Sequence, residues 1–320
     1  MPINADKPHR WKADTRASVD QFNQWFMVAA PKAYRDTRAK TVEYVEQGLR
    51  LSADLTTITP DVIKKSPHIL PTLRMSTCPP LARDRLVGLA DSNKSLLGTL
   101  EEGKIPPKIS PVILDEHLAR ISGILCRMVD VEIFPWLPEK RRPTKTERYR
   151  SSTIVADRLC GAIAEPIVRN AQEKRQLAMI EKYLVDRGYR LKAHPSSLIL
   201  SQMEPGTFDF RLNVKVTPSK TDKKTVNIPV DVVIQPKKAK LPRLPLLIEA
   251  KSAGDFTNVN KRRKEEATKM NQLRTTYGSN VPFVLFLCGY FDAGYLGYEA
   301  AEGIDWVWEH RIRDLDHLGI

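Results

Sequence analysis

Four apolar segments, with one helical stretch before the last of them, set the tightest limit on what this chain can fold into. GTFDFRLNVKV (206–216), TVNIPVDVVIQ (225–235), LPLLIEAKS (244–252) and VPFVLFLCGY (281–290) read as strands. Between the last two, Ala267, Met270, Leu273 and Tyr277 recur at near-helical spacing over roughly 260–277, and Gly278 follows as a C-cap. Three strands, a helix and a further strand predict an α/β fold with one mixed central sheet flanked by helices.

The first 150 residues have a different texture. VDQFNQWFMVAA, RAKTVEYVEQGLRL, PPLARDRLVGLADSNKSLL and ILDEHLARISGILCRMV have helical spacing, and proline-rich connections separate them. FPWLPEKRRPTK (134–145) is the expected boundary, dividing a mostly helical region, 1–150, from a second domain, 151–320. The latter opens with a long helical stretch from Ser151, with a kink expected at Pro166 and a stop at Gly188.

Charge narrows the partners. With 51 Lys+Arg against 38 Asp+Glu the formal net charge is +13, a field that attracts polyanions, either nucleic acid or an anionic membrane surface. The longest apolar run, VPFVLFLC, is too short to span a bilayer, so no membrane partner is expected. MPINADKPHRWKA has no apolar core, so no signal peptide is expected. Cys78, Cys126, Cys160 and Cys288 form no C-x-x-C pair, which fits a reducing cytoplasm and predicts four small buried hydrophobes. The six histidines are scattered, and none is read as a metal ligand.

The chemistry gathers at strand ends. In TVNIPVDVVIQ the positions Ile228, Val230, Val232 and Ile234 should share one face, leaving Asp231 on the other. In LLIEAK, Leu246, Ile248 and Ala250 share a face, and Glu249 and Lys251 point together to the opposite side. If the strands are neighbours, one cleft receives two carboxylates and an ammonium, with the Ala250 carbonyl between them. Such oxygens suit a hard Mg²⁺ ion. A metal there could serve phosphodiester hydrolysis, and a lysine could orient water or neutralise developing charge. The bland alternative is a structural salt bridge at a strand end. The second E-x-K, Glu102-Gly-Lys104, lies between a glycine and prolines and reads as a solvated turn.

PVD-VVI followed by LLIEAKSAGDF resembles the PD-(D/E)XK nuclease signature, with Asp231, Glu249 and Lys251 in its three positions. Val230 stands between Pro229 and Asp231, a departure at a loose element of the pattern. LRMSTCPPLARDRLVGLA, ADRLCGAIAEPIVRNAQEKRQL, IEAKSAGDFTNVNKRRKEEA and LCGYFDAGYLGYEAAEGIDWVWEHRI together look like type II restriction endonucleases of the XamI kind, over about 73–311. The resemblance implies a Mg²⁺-dependent endonuclease that cuts duplex DNA at a short palindrome, leaves 5′-phosphates, works as a homodimer and has a cognate DNA methyltransferase. Region 1–150 would then serve recognition and dimerisation. A repair or junction-resolving nuclease of the same fold, or a non-catalytic DNA-binding protein with a vestigial site, are the competing readings.

A further acidic group often comes from a helix packed on the sheet in this superfamily. Glu173 lies four, seven and eleven positions before Leu177, Ile180 and Leu184, continuing their stripe. It is either a metal or water-positioning residue or half of an ion pair with an arginine such as Arg169. Lys261, Arg262, Arg263 and Lys264 follow the catalytic strand and, beside a helix start, suit DNA phosphates. Asn258 and Asn260 are N-cap candidates that could instead read an adenine edge. Arg74, Arg83 and Arg85 could read guanine or pair with Asp84 and Asp91. Tyr290, Phe291, Tyr295 and Tyr298 are expected to pack the sheet or a dimer interface.

Overall fold

The computed structural model describes residues 2–218, 225–257 and 259–320, without side chains for 259–262. Contacts divide the chain into two compact units, residues 29–168 and residues 1–28 with 169–320. The division therefore falls within both long helices, α1 (Pro8–Leu51) and α7 (Lys145–Asp186).

The unit of residues 29–168 is helical. Between α1 and α7 it holds α2 (Pro60–Lys65), α3 (Leu70–Met75), α4 (Arg83–Leu89), α5 (Lys94–Glu101) and α6 (Pro111–Met128). Local signals set the starts. The Thr59 side chain accepts the Val62 N–H before Pro60, and Asn93 accepts from Ser95 and Leu96. Val45, Leu49, Ile63, Leu73, Leu97, Leu118, Phe134 and Trp136 form the core.

FPWLPEKRRPTK, the boundary expected near residue 150, begins inside that core. Phe134 and Trp136 are fully buried and the Trp136 indole N–H donates to the Asp54 carbonyl at 2.9 Å, while Pro138, Glu139, Lys140, Arg142, Thr144 and Lys145 are exposed. The two helical segments read before residue 51 are one helix running through Pro31, and α7 runs through Pro166. Each proline removes one helical hydrogen bond without ending the helix.

The other unit carries the sheet. Its strands are β1 (Arg190–Leu191), β2 (Thr207–Val216), β3 (Val226–Ile234) and β4 (Leu246–Ala253), then α8 (Val259–Tyr277), β5 (Phe283–Gly289), α9 (Ala293–Ala301) and β6 (Asp305–Trp308). The six strands lie in chain order. β2, β3 and β4 are antiparallel neighbours, and β4, β5 and β6 run parallel through crossovers that contain α8 and α9. The fold is mixed α/β, as the strand pattern requires. Leu247, Leu285 and Leu287 pack with Met270 and Leu273 of α8, whereas Ile248, Val284 and Phe286 pack with Ile180 and Leu184 of α7. Alternation along β4 and β5 thus feeds two apolar layers.

The alternation expected of β3 is interrupted. Val230 belongs to the α8 layer, but Val232 and Ile234 belong to the α7 layer. β2 switches in step, from Phe208 and Phe210 to Leu212 and Val214. The break lies at Arg211, held at φ +53°, and the pair Arg211/Asp231 is missing from an otherwise constant register.

Cysteines and tyrosines divide. Cys160 and Cys288 are buried, but Cys78, in the turn after α3, and Cys126, on α6, are exposed; all four are free. Phe291 and Tyr295 pack in the α8 layer with Tyr290 at its edge, while Tyr298 is exposed. Among the described residues no helix is long and apolar enough to cross a membrane.

Candidate active site

The site forms where β3 and β4 part. Their ladder runs from Ile234 opposite Leu246 to Val232 opposite Ile248 and stops there. Beyond it the Ala250 N–H donates to Asp231 Oδ2 at 2.9 Å, so a side chain takes the place of a strand carbonyl. A strand residue turns its N–H and C=O to the same neighbour, so the Ala250 carbonyl opens toward Asp231 as well. Glu249 and Lys251 share the other face of β4, with Lys251 Nζ 3.1 Å from Glu249 Oε1.

Helix α8 completes the cluster. Lys269 Nζ donates to Glu249 Oε2 at 2.6 Å and to the Pro229 carbonyl at 2.8 Å. Glu266 Oε1 lies 3.9 Å from Lys251 Nζ. Asp231, Glu249, Ala250 and Lys251 line one cavity of about 290 Å³, together with Glu173, Gln176 and Arg169 from α7. The structure therefore brings Asp231, Glu249 and Lys251 together. Glu173 joins them at the cavity, but its Oε1 is 2.5 Å from Arg211 Nη2, so its ion-pair partner is Arg211 rather than Arg169.

The charges perturb one another. Burial, and then the neighbouring charge of Glu249, push Asp231 up to about 6, against the Ala250 N–H and the two lysines. Burial disfavours the Lys251 ammonium, but the charges of Glu249 and Glu266 outweigh it and hold the group above the ordinary lysine value. A carboxylate that favours a proton and faces a second carboxylate is a site suited to a cation.

The donors fit Mg²⁺. Asp231, Glu249 and the Ala250 carbonyl offer only oxygen, and neither sulfur nor imidazole lines the described cavity. Among the described residues no three His, Cys, Asp or Glu gather to hold a metal ion. An ion that keeps several waters and is held by one or two carboxylates plus substrate phosphate needs no more.

The candidate DNA contacts separate. Asn258 lies outside the described residues, as do the side chains of Asn260, Lys261 and Arg262. Arg263 sits over the Tyr298 ring, 3.7 Å from its centroid, and Lys264 is exposed. Arg74 is not placed to read bases. It is buried, pairs with Glu101 at 2.6 Å and donates to the Leu81 carbonyl. Arg83 shares Glu101 from the surface, and Arg85 is exposed. The Glu102–Lys104 turn is solvated, its two side chains 3.5 Å apart.

Lys269 and Glu266 are the site residues that the sequence reading missed. A signal for them existed. Glu266 and Lys269 lie four positions before Met270 and Leu273 respectively, so two charges continue the apolar stripe of α8.

Comparison with known proteins accords with this geometry. The family model described as XamI restriction endonuclease matches residues 53–308. Type II restriction enzyme SalI of Streptomyces albus G is 59% identical over 317 residues, covering 99% of this chain and 99% of that protein. No solved structure matches. Since the family match takes in most of the chain, including every residue of the cavity, the chain belongs to the XamI restriction endonuclease family.

Proposed function

We propose that the chain is a type II restriction endonuclease that hydrolyses duplex DNA at a short palindromic sequence, uses Mg²⁺ and leaves 5′-phosphates. The observation that carries this reading is the convergence of Asp231, Glu249, Lys251 and the Ala250 carbonyl where β3 and β4 part. That convergence supports reading the site as the PD-(D/E)XK arrangement which the sequence resembles. The relative named a type II restriction enzyme, matched along nearly its whole length, supports the reaction class.

Asp231, Glu249 and the Ala250 carbonyl would hold the ion, which when bound stabilises charge on the phosphodiester and makes water a better nucleophile. Lys251 supplies N–H donors beside those oxygens, and it serves an in-line attack by orienting the water or meeting charge on a phosphoryl oxygen. Glu249 fixes the lysine through Oε1, and Lys269 fixes Glu249 through Oε2. Glu173, tied to Arg211, supports the cavity wall and positions water there. Arg83, Arg85, Arg263 and Lys264, with the segment 258–262, are the proposed DNA contacts. A homodimer would match a palindrome's two-fold symmetry, and a cognate methyltransferase would protect the host's own sites.

The test is digestion of several plasmids with Mg²⁺, followed by sequencing of the fragment ends. Discrete fragments sharing one palindrome and bearing 5′-phosphates are expected. A smear of random ends would remove the site specificity, and intact plasmid would remove the activity.

A further inference from the structure

A layer of buried acid lies behind Lys251 and has no part in the hydrolysis described above. Glu266 of α8 is 2% exposed; its Oε2 accepts the Tyr295 hydroxyl at 2.6 Å and its Oε1 faces the Lys251 ammonium at 3.9 Å. On α9, Glu299 is wholly buried, and among the described residues neither of its oxygens receives an N–H or hydroxyl donor. It follows Tyr295, the residue that donates to Glu266, by one helical turn, and the Glu266 charge acts on it.

Two neighbouring carboxyl groups in such a buried layer resist ionising together. Burial, then the charge of Glu266, push Glu299 up to about 8, with Glu302 adding to the rise and Arg263 opposing it. A proton on Glu299, given toward Glu266, accounts for a Glu299 carboxyl that no donor among the described residues serves. It also leaves the charge on the residue that faces the lysine.

We propose that Glu266 and Glu299 form an acid pair sharing one proton, which presents a single negative charge to Lys251 and so positions its ammonium for the reaction. The proposal rests on Lys251 being the catalytic lysine. Glu266 and Glu299 touch no reacting atom and are positioning residues. Among the described residues, the groups facing the pair include Lys251 on β4, Arg263 on α8, and Tyr295 and Glu302 on α9.

Infrared spectroscopy of the full chain reads the proton directly. A buried protonated-carboxyl band is expected at neutral pH, fading through about pH 8 and missing from Glu299→Gln. Single-turnover cleavage reads the consequence. Glu266→Gln should lower the rate at least about tenfold with DNA affinity held within about twofold, and Glu266→Asp should regain part of the loss. Glu299→Gln should remove the inflection near pH 8 from the rate profile. A wild-type chain without the band, or a Glu266→Gln enzyme with an unaltered rate, would overturn the proposal. A Lys251→Ala enzyme that still cleaves would instead overturn the site assignment beneath it, while the infrared result would stand by itself.

Discussion

Glu249 has an ammonium on each oxygen, Lys251 on Oε1 and Lys269 on Oε2, and neither lysine is well exposed. Removing Lys269 leaves Glu249 Oε2 without its donor while Lys251 stays on Oε1. We therefore expect Lys269→Met to lower folding stability by about 2 kcal/mol. Added Mg²⁺ should restore much of it by binding the freed carboxylate in the native state. Thermal unfolding with and without Mg²⁺ checks this, and a loss that the ion leaves untouched would count against Glu249 as a ligand. Arg74 gives the opposite lesson. Its pair with Glu101 is interior, so Arg74→Ala should cost about 3 kcal/mol in denaturant unfolding. Arg85→Ala, at the surface, should leave stability nearly unchanged and weaken DNA binding. Asp231, Glu249 and Lys251 were legible in the sequence because charge interrupted an apolar period in two strands. Lys269 and Glu266 interrupt an apolar stripe in the same way, but on a helix so rich in charge that the interruption does not stand out. For Arg74 the ion-pair alternative holds in kind but with Glu101 rather than Asp84 or Asp91, a partner that sequence spacing does not single out.

Strands and helices show where pattern reading reaches its limit. β2 through β5 and α8 follow from apolar period and a glycine stop, and they sit where the sequence puts them. The switch of faces at Arg211/Asp231 was not legible. It depends on a positive φ at an arginine, a conformation that residue type does not announce. Short β6 carries too few residues to show a period, and α1 passes through a proline that reads as a break. Gly289 ends β5 at φ +98°, and a Cβ there would collide with the Ala253 carbonyl of β4. Gly289→Ala is expected to lower stability by more than about 1 kcal/mol through backbone conformation alone, with the collision adding to it. Denaturant unfolding measures it, and an unchanged midpoint would refute it. The contact between α8 and α9 has its own pH dependence through Glu299. Its carboxyl ionises near 4.5 when unconstrained and near 8 in the fold. The raised value means that its contribution is whole below pH 4.5 and is lost as pH rises through about 8. Glu299→Gln should flatten that decline, and unfolding midpoints between those pH values would show it.

At the scale of the whole chain, net charge and catalytic chemistry point the same way. A formal +13 favours a polyanion, and the cavity offers oxygen donors and an ammonium suited to a phosphodiester. Family membership spans residues 53–308, so it takes in most of the helical unit as well as the sheet. In the proline-rich stretch at 134–145, composition reports where the chain turns but not that Phe134 and Trp136 are buried in the helical core. DNA affinity should fall steeply with added salt through counterion release, a slope that titration at several salt concentrations gives. The most direct test of the central claim compares wild type with Asp231→Asn, Glu249→Gln and Lys251→Ala in single-turnover DNA cleavage, with DNA binding measured alongside. Each variant is expected to keep its grip on DNA while its cleavage rate falls at least about a hundredfold. Wild-type cleavage by any one of the three would contradict the assignment of the site.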